Sequence, residues 1–343
     1  MNKKVRVLIV DDSALVRDLY TEMLSEDPDI EVIGQAMNAD DARSKIKALN
    51  PDVITLDIEM PGMNGLEFLE KIMTLRPMPV VMSSTLTQTG TEHTIRALEI
   101  GAVDFIGKPF AKEDPYTLKL VKNQLASKVK IAANSKVQAR QPVKKAEKKQ
   151  YNFKSNMLIA IGSSTGGVEA NKVLLEMLPD GMPPIVITQH MPKGFTSSFA
   201  RRLGESLGRP VHEATDRMQL QYNNIYIAPG DIHMQIKKKG DKYYTQLDNG
   251  DLYSGHRPSV DIMFKSIAEF ENDKVIGVIL TGMGKDGAEG LLEMKNQGAF
   301  TVGQNESSCI VYGMPKAAKA NGAVTIELPL EKIADTIIKE CLS

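Results

Sequence analysis

Short apolar runs recur along the chain, and most are followed by a stretch in which apolar positions return at helical spacing. In the first third they are VRVLIV (5–10), DVITL (52–56), PVVM (79–82) and VDFI (103–106), with a weaker IEVIG at 30–34. Later they reappear as MLIAI (157–161), PIVITQ (184–189) and VIGVIL (275–280). Runs this short and this rich in β-branched residues read as strands buried on both faces, and their alternation with helices predicts parallel sheets with crossover helices. The expected fold class is α/β: two doubly wound domains, each a mostly parallel sheet with helices on both faces. The pattern stops at SKVKIAANSKVQARQPVKKAEKKQ (127–150), which is basic, polar and poor in core formers. That stretch reads as a linker, with a solvated lysine-faced helix as the alternative for its first half. The expected organisation is one domain over 1–126, a linker over 127–150 and a second domain over 151–343.

Composition narrows the partners. A length of 343 residues allows two domains, each able to bury a core. The formal net charge of −1 gives no global field that favours nucleic acid, and the second half shows no basic recognition helix. Only Cys309 and Cys341 occur, without a CxxC pair, which argues against a disulfide framework or a structural zinc site and for a reducing compartment. The N-terminus, MNKKVRVLIVDD, places two acids where a secretory signal would continue its apolar stretch. A cytoplasmic location is the expectation.

In the first half the chemistry sits just beyond the strand ends: Asp11 and Asp12 after the first, Asp57 after the third, Ser84 after the fourth, and Lys108 after the fifth. Carboxyl ends of strands in an open parallel sheet converge on one crevice, so these side chains are expected to share a pocket. Three clustered carboxylates repel one another unless a cation joins them, and hard oxygen ligands suit Mg²⁺. The segment resembles two-component receiver domains, which carry a flavodoxin-like fold. The resemblance implies Asp57 as phosphoryl acceptor and Mg²⁺ held by Asp11, Asp12, Asp57 and the Glu59 carbonyl. It further implies Ser84 and Lys108 as contacts of the phosphoryl group, Phe105 as the aromatic switch residue, a cis Lys108–Pro109 bond, and a histidine kinase as donor.

The second half opens with AIGSSTGGVEA (160–170). A dinucleotide fingerprint fails because its second glycine position holds Ser164, and a phosphate loop fails because Val168 stands where a lysine is needed. G-x-S-x-G fits Gly162 to Gly166 on a strand-to-helix turn, although a capped glycine-rich turn is the plainer alternative. A serine needs a base. Of five histidines, only His190 directly follows a strong strand, while VIGVIL leads into TGMGKDG and Asp286. Ser164, His190 and Asp286 can thus meet on one sheet edge without being neighbours in sequence. TGMGKDG reads either as an anion nest or as an oxyanion device in which Gly282 and Gly284 free the Met283 N–H to point at developing charge.

Together IGSSTGG, QHMP, SGHRPSVD and TGMGKDG resemble the catalytic domain of the CheB family of chemotaxis protein-glutamate methylesterases. The resemblance implies Ser164 as nucleophile, His190 as base, Asp286 as its orienting acid, and the Met283 N–H in the oxyanion hole. Thr165, His256 and Arg257 become substrate-cleft candidates, with His256 the runner-up base. The expected activity is metal-free hydrolysis of glutamate γ-methyl esters on the cytoplasmic helices of methyl-accepting chemoreceptors, together with deamidation of receptor glutamines. Phosphorylation at Asp57 is expected to switch it on.

Overall fold

The computed structural model describes residues 3–85, 87–109, 114–137, 151–270 and 273–342. The chain divides into two compact units, residues 1–141 and 142–343.

In the first unit, β1 (Val5–Val10), α1 (Ala14–Ser25), β2 (Ile30–Ala36), α2 (Ala39–Leu49), β3 (Val53–Asp57), α3 (Gly65–Leu75), β4 (Val80–Ser84), α4 (Gln88–Ile100), β5 (Asp104–Gly107) and α5 (Pro115–Ala133) alternate. The sheet is parallel, in the order β2-β1-β3-β4-β5. Val7, Leu8, Ile9, Ile54, Val80, Val81 and Met82 are fully buried, which is why the central strands read as unbroken apolar runs. Burying each such side chain stabilises by roughly 1.5–3 kcal/mol.

Two expectations need correction here. Helix α5 continues to Ala133, so the first residues assigned to the linker belong to the last helix of the first unit. Leu125, Val129 and Ala132 recur at helical spacing and are fully buried, so the helical alternative for the start of this stretch holds as far as Ala133, with an apolar face packed inward. Residues 138–150 of the proposed linker lie outside the described residues. Among the described residues the cis peptide is Arg257–Pro258, not Lys108–Pro109.

The second unit runs β6 (Leu158–Ser163), α6 (Gly167–Glu176), β7 (Ile185–Gln189), α7 (Phe195–Leu207), β8 (Val211–Glu213), β9 (Ile225–Ile227), β10 (His233–Lys239), β11 (Lys242–Asp248), α8 (Val260–Ala268), β12 (Val275–Ile279), α9 (Ala288–Asn296), β13 (Phe300–Gln304), α10 (Met314–Ala320), β14 (Ile326–Leu328) and α11 (Leu330–Cys341). Seven strands form a parallel sheet in the order β14-β13-β12-β6-β7-β9-β8, and β10 and β11 form an antiparallel hairpin. Helices α6, α7 and α11 pack together, as do α8, α9 and α10. The strand order reverses between β6 and β12, and such a switch point opens a crevice beyond the carboxyl ends of the strands. No described helix is long and apolar enough to cross a membrane.

Candidate active site

The loops leaving β6, β7 and β12 carry Ser164, His190 and Asp286, and adjacent strand pairing brings them to one edge. His190 N donates to Ser163 O at 3.1 Å and Ser164 N donates to Thr281 O at 3.0 Å, so the nucleophile candidate is tied to both neighbouring loops. Ser164 is half-buried, whereas Ser163 points into the interior and is fully buried. This geometry distinguishes the two adjacent serines.

His190 Nε2 lies 2.7 Å from Asp286 Oδ2, with both side chains nearly buried. The carboxylate is acceptor-only, so Nε2 carries the proton and donates. His190 Nδ1 is buried and makes no hydrogen bond, which leaves a lone pair free on the second nitrogen. Asp286 is held by more than His190. Ser259 Oγ and Asp261 N donate to its Oδ1 at 2.8 and 3.0 Å, and Val260 N donates to its Oδ2 at 2.7 Å. These donors are the N-terminal turn of α8, where a negative charge is stabilised by unpaired N–H groups. Although burial opposes ionisation, the hydrogen bond from His190 and those N–H donors pull the Asp286 carboxyl well below the usual range.

The arrangement is reciprocal: Asp261, in the first turn of α8, accepts from Gly290 N of α9 at 2.7 Å, while Asp286, just before α9, accepts from α8. Burial raises the Asp261 carboxyl, and the nearby Asp286 charge adds to the rise. Gly287, between Asp286 and α9, has φ of +90°, and a Cβ there would sit 2.5 Å from Val260 Cγ1. Glycine is required by the turn and by the close approach of α8. Sequence reading missed Ser259, Asp261 and their helix terminus as supports of Asp286. The available signal was the Ser at the start of SVDIMF, a good N-cap residue ahead of an apolar run.

The TGMGKDG loop lies against the nucleophile turn. A Cβ on Gly282 would meet Ser164 Cβ at 2.8 Å, so glycine lets this loop approach the nucleophile turn closely. Thr281 Oγ1 donates to Thr165 O at 3.0 Å and fixes the far side of the turn. The Arg257 guanidinium donates to Asp231 Oδ1 at 2.7 and 3.0 Å and to Gly250 O at 2.8 Å. It fastens the loop that carries His256.

The His256 ring stacks on His190 with centroids 3.8 Å apart and planes 9° from parallel. Burial, and then the neighbouring His190, push the His256 pKa down to about 4, partly offset by Asp286. Between about 6.5 and 4 the unfolded chain binds a proton on His256 that the folded chain refuses, so folding stability falls as pH drops through that window. Denaturant midpoints measured at several pH values should fall less steeply over that window in His256→Gln than in the wild type; parallel curves would refute this.

In the first unit, carboxylate oxygens of Asp11, Asp12 and Asp57 lie within 4.8 Å of one another. Lys108 Nζ is 2.8 Å from Asp11 Oδ2 and 2.8 Å from Asp57 Oδ1. Burial, and then Asp11, raise the Asp57 pKa to about 6, and its Oδ2 is buried without a hydrogen-bond partner. An orphaned carboxylate oxygen among three hard donors fits a divalent cation such as Mg²⁺. Glu59 N donates to Asp57 Oδ1 at 3.2 Å, which brings the Glu59 backbone to the same cluster. Ser84 is buried, with its hydroxyl on Thr85 O and Gly90 O at 3.1 and 3.3 Å, while Ser83 instead pairs with Tyr20. Phe105 is buried, with Lys128 Nζ 4.9 Å from its ring centroid.

The family model described as CheB methylesterase matches residues 159–337, and the response regulator receiver domain model matches residues 7–119. A protein-glutamate methylesterase/protein-glutamine glutaminase from Caulobacter vibrioides is 51% identical over 98% of this chain and 97% of its own. One from Rhizobium johnstonii is 52% identical over 99% of this chain and 97% of its own. The crystal structure of the Thermotoga maritima CheB methylesterase catalytic domain is 40% identical, covers 54% of this chain and 98% of that one, and superposes with a TM-score of 0.52.

Proposed function

The chain belongs to the CheB methylesterase family, with a response regulator receiver domain at its N-terminus, and from that premise we propose that it hydrolyses glutamate γ-methyl esters on the cytoplasmic helices of chemoreceptors. The same site deamidates receptor glutamines. The observation that carries this reading is the His190–Asp286 hydrogen bond through Nε2, which leaves Nδ1 without a hydrogen-bond partner, on a residue whose backbone N–H is bonded to Ser163 O in the serine turn.

Each residue then has a chemical role. Ser164 Oγ attacks the ester carbonyl while His190 Nδ1 takes its proton. Asp286, held ionised by the α8 terminus, stabilises the imidazolium and fixes the tautomer. The Met283 N–H donates to the oxyanion. His190 returns the proton to the leaving methoxide, so methanol departs and a glutamyl ester of Ser164 remains. A water, deprotonated by the same nitrogen, cleaves that ester and restores the serine. With a glutamine substrate the leaving group is ammonia. Thr165 and His256 border the cleft. His256 supports the reading as a neutral wall on which the base stacks, because its depressed pKa makes it a poor proton acceptor.

In the receiver, Asp57 accepts a phosphoryl group from a histidine kinase. Asp11, Asp12, Asp57 and the Glu59 carbonyl would hold Mg²⁺, which neutralises charge on the transferring oxygens. Lys108 and Ser84 contact the transferred group, and Phe105 reports the change. The first unit, through the end of α5 at Ala133, and residues 151–343 carry the two functions, and no nucleic acid is involved.

The direct test is methanol release from methylated chemoreceptor membranes, measured with and without a small-molecule phosphodonor. Release that rises with the phosphodonor supports the assignment; intact methyl esters after incubation with folded protein would overturn it.

A further inference from the structure

Beneath the Ser164 turn lies a buried polar chain that the catalytic reading leaves unused. Gln189, the last residue of β7, pairs in register with Ser163, the last residue of β6. Gln189 is 3% exposed, and Ser163 and Asn171 are fully buried. The Gln189 amide nitrogen donates to Ser164 O at 2.9 Å and to His190 O at 3.1 Å. One side chain therefore holds the backbone carbonyls of both the nucleophile and the base.

The direction of every proton in this chain is fixed. With both hydrogens of its amide given to carbonyls, Gln189 can only accept through Oε1, and Ser163 Oγ donates to it at 2.7 Å. Ser163 Oγ in turn accepts from Asn171 Nδ2 at 2.8 Å, and Asn171 gives its other hydrogen to Gly167 O at 2.8 Å. A flipped Gln189 amide would set its oxygen against two carbonyls and its nitrogen against a donor. A Cβ on Gly167 would come within 2.1 Å of Gln189 Oε1, so the glycine after the nucleophile turn keeps room for this chain. Buried and nearly fully satisfied networks of this kind select one conformation, because a broken link leaves a desolvated polar group.

We propose that Gln189 is a positioning residue for the hydrolysis, fixing the distance between the Ser164 turn and the His190 backbone, and that Ser163 and Asn171 set the orientation of its amide. The role rests on Ser164 and His190 acting as described above. Gln189 touches neither substrate nor reacting atoms, so its loss should appear in kcat and leave KM nearly unchanged.

The test uses the full chain and receptor ester hydrolysis. Gln189→Leu is expected to lose about 10- to 100-fold in kcat, the scale of a small misplacement of reacting groups. Ser163→Ala should lose less, and the Ser163→Ala/Gln189→Leu double variant should match Gln189→Leu alone, since both act through one amide. In Gln189→Glu, an ionised carboxylate faces two carbonyls, whereas its protonated form can donate to one. Its kcat relative to wild type should therefore rise as pH falls, a response that a packing defect would not give. The His190 ring resonances, read without substrate, should shift in Gln189→Leu. Should that variant fail to fold, the Gln189→Glu pH profile and the Ser163→Ala rate decide. A folded Gln189→Leu with wild-type kcat, additive losses in the double variant, or a flat relative profile in Gln189→Glu would overturn the inference. So would unmoved His190 resonances in folded Gln189→Leu, even if no ester were turned over, in which case the esterase reading fails separately.

Discussion

Ser164→Ala is expected to remove nearly all methanol release while leaving the fold intact. The hydroxyl at 164 sits on a half-buried turn, and an alanine there deletes one oxygen without opening a core cavity. What remains is catalysis by binding and by the oxyanion donors alone, as when a member of a serine triad is removed from other hydrolases. His190→Ala should lose at least about 10²–10⁴-fold, the contribution of a positioned general base. It should also strand Asp286 as a buried carboxylate with one fewer partner, so the unfolding midpoint should fall as well. His256→Ala should lose less than His190→Ala, because the hydrogen bond to Asp286 runs from His190 and not from the stacked ring. Turnover numbers on one receptor preparation, with circular dichroism as a folding control, decide the ranking. An active Ser164→Ala enzyme would sink the nucleophile assignment, and a reversed histidine order would move the base to His256.

The second large effect is expected at Asp57. Asp57→Asn removes the acceptor carboxylate but keeps the side chain's shape, so the receiver should fold and the basal ester hydrolysis should persist. Stimulation by a small phosphodonor should vanish. If phosphorylation couples to the esterase within the usual 1–3 kcal/mol, the stimulation lost is about 5- to 150-fold. Chelating Mg²⁺ should have the same result in the wild type, since three carboxylates within 4.8 Å and a phosphoryl group cannot gather around Lys108 alone. Basal turnover should be spared by the chelator, because the roles given to Ser164, His190 and Asp286 require no metal. A chelator that silences the basal rate, or an Asp57→Asn chain that still responds to the phosphodonor, would contradict this division of labour.

The α/β class, the division into two units and the carboxyl-edge placement of Asp11, Asp57, Ser164, His190 and Asp286 were legible because each rests on a local signal. Buried parallel strands are written as short apolar runs, and the residue after such a run must lie at the crevice edge. The short edge strands β8 and β14, three residues each, left no comparable run, and the hairpin β10–β11 was hidden by its lysine-rich turn. The extent of α5 was misread because its four lysines equal its four buried apolar positions in number, and only packing against the sheet reveals which face counts.

Periodicity along the chain thus determined which residues reach the active edge. The tertiary structure decided how they are held there: the α8 terminus that keeps Asp286 charged, the nitrogen of His190 that stays free, and the Gln189 amide that joins two loops. These depend on distances between segments far apart in sequence. A spacing rule carries no information about which way a buried hydroxyl or amide points, because that choice is made by the partner left without a hydrogen bond if it turned the other way.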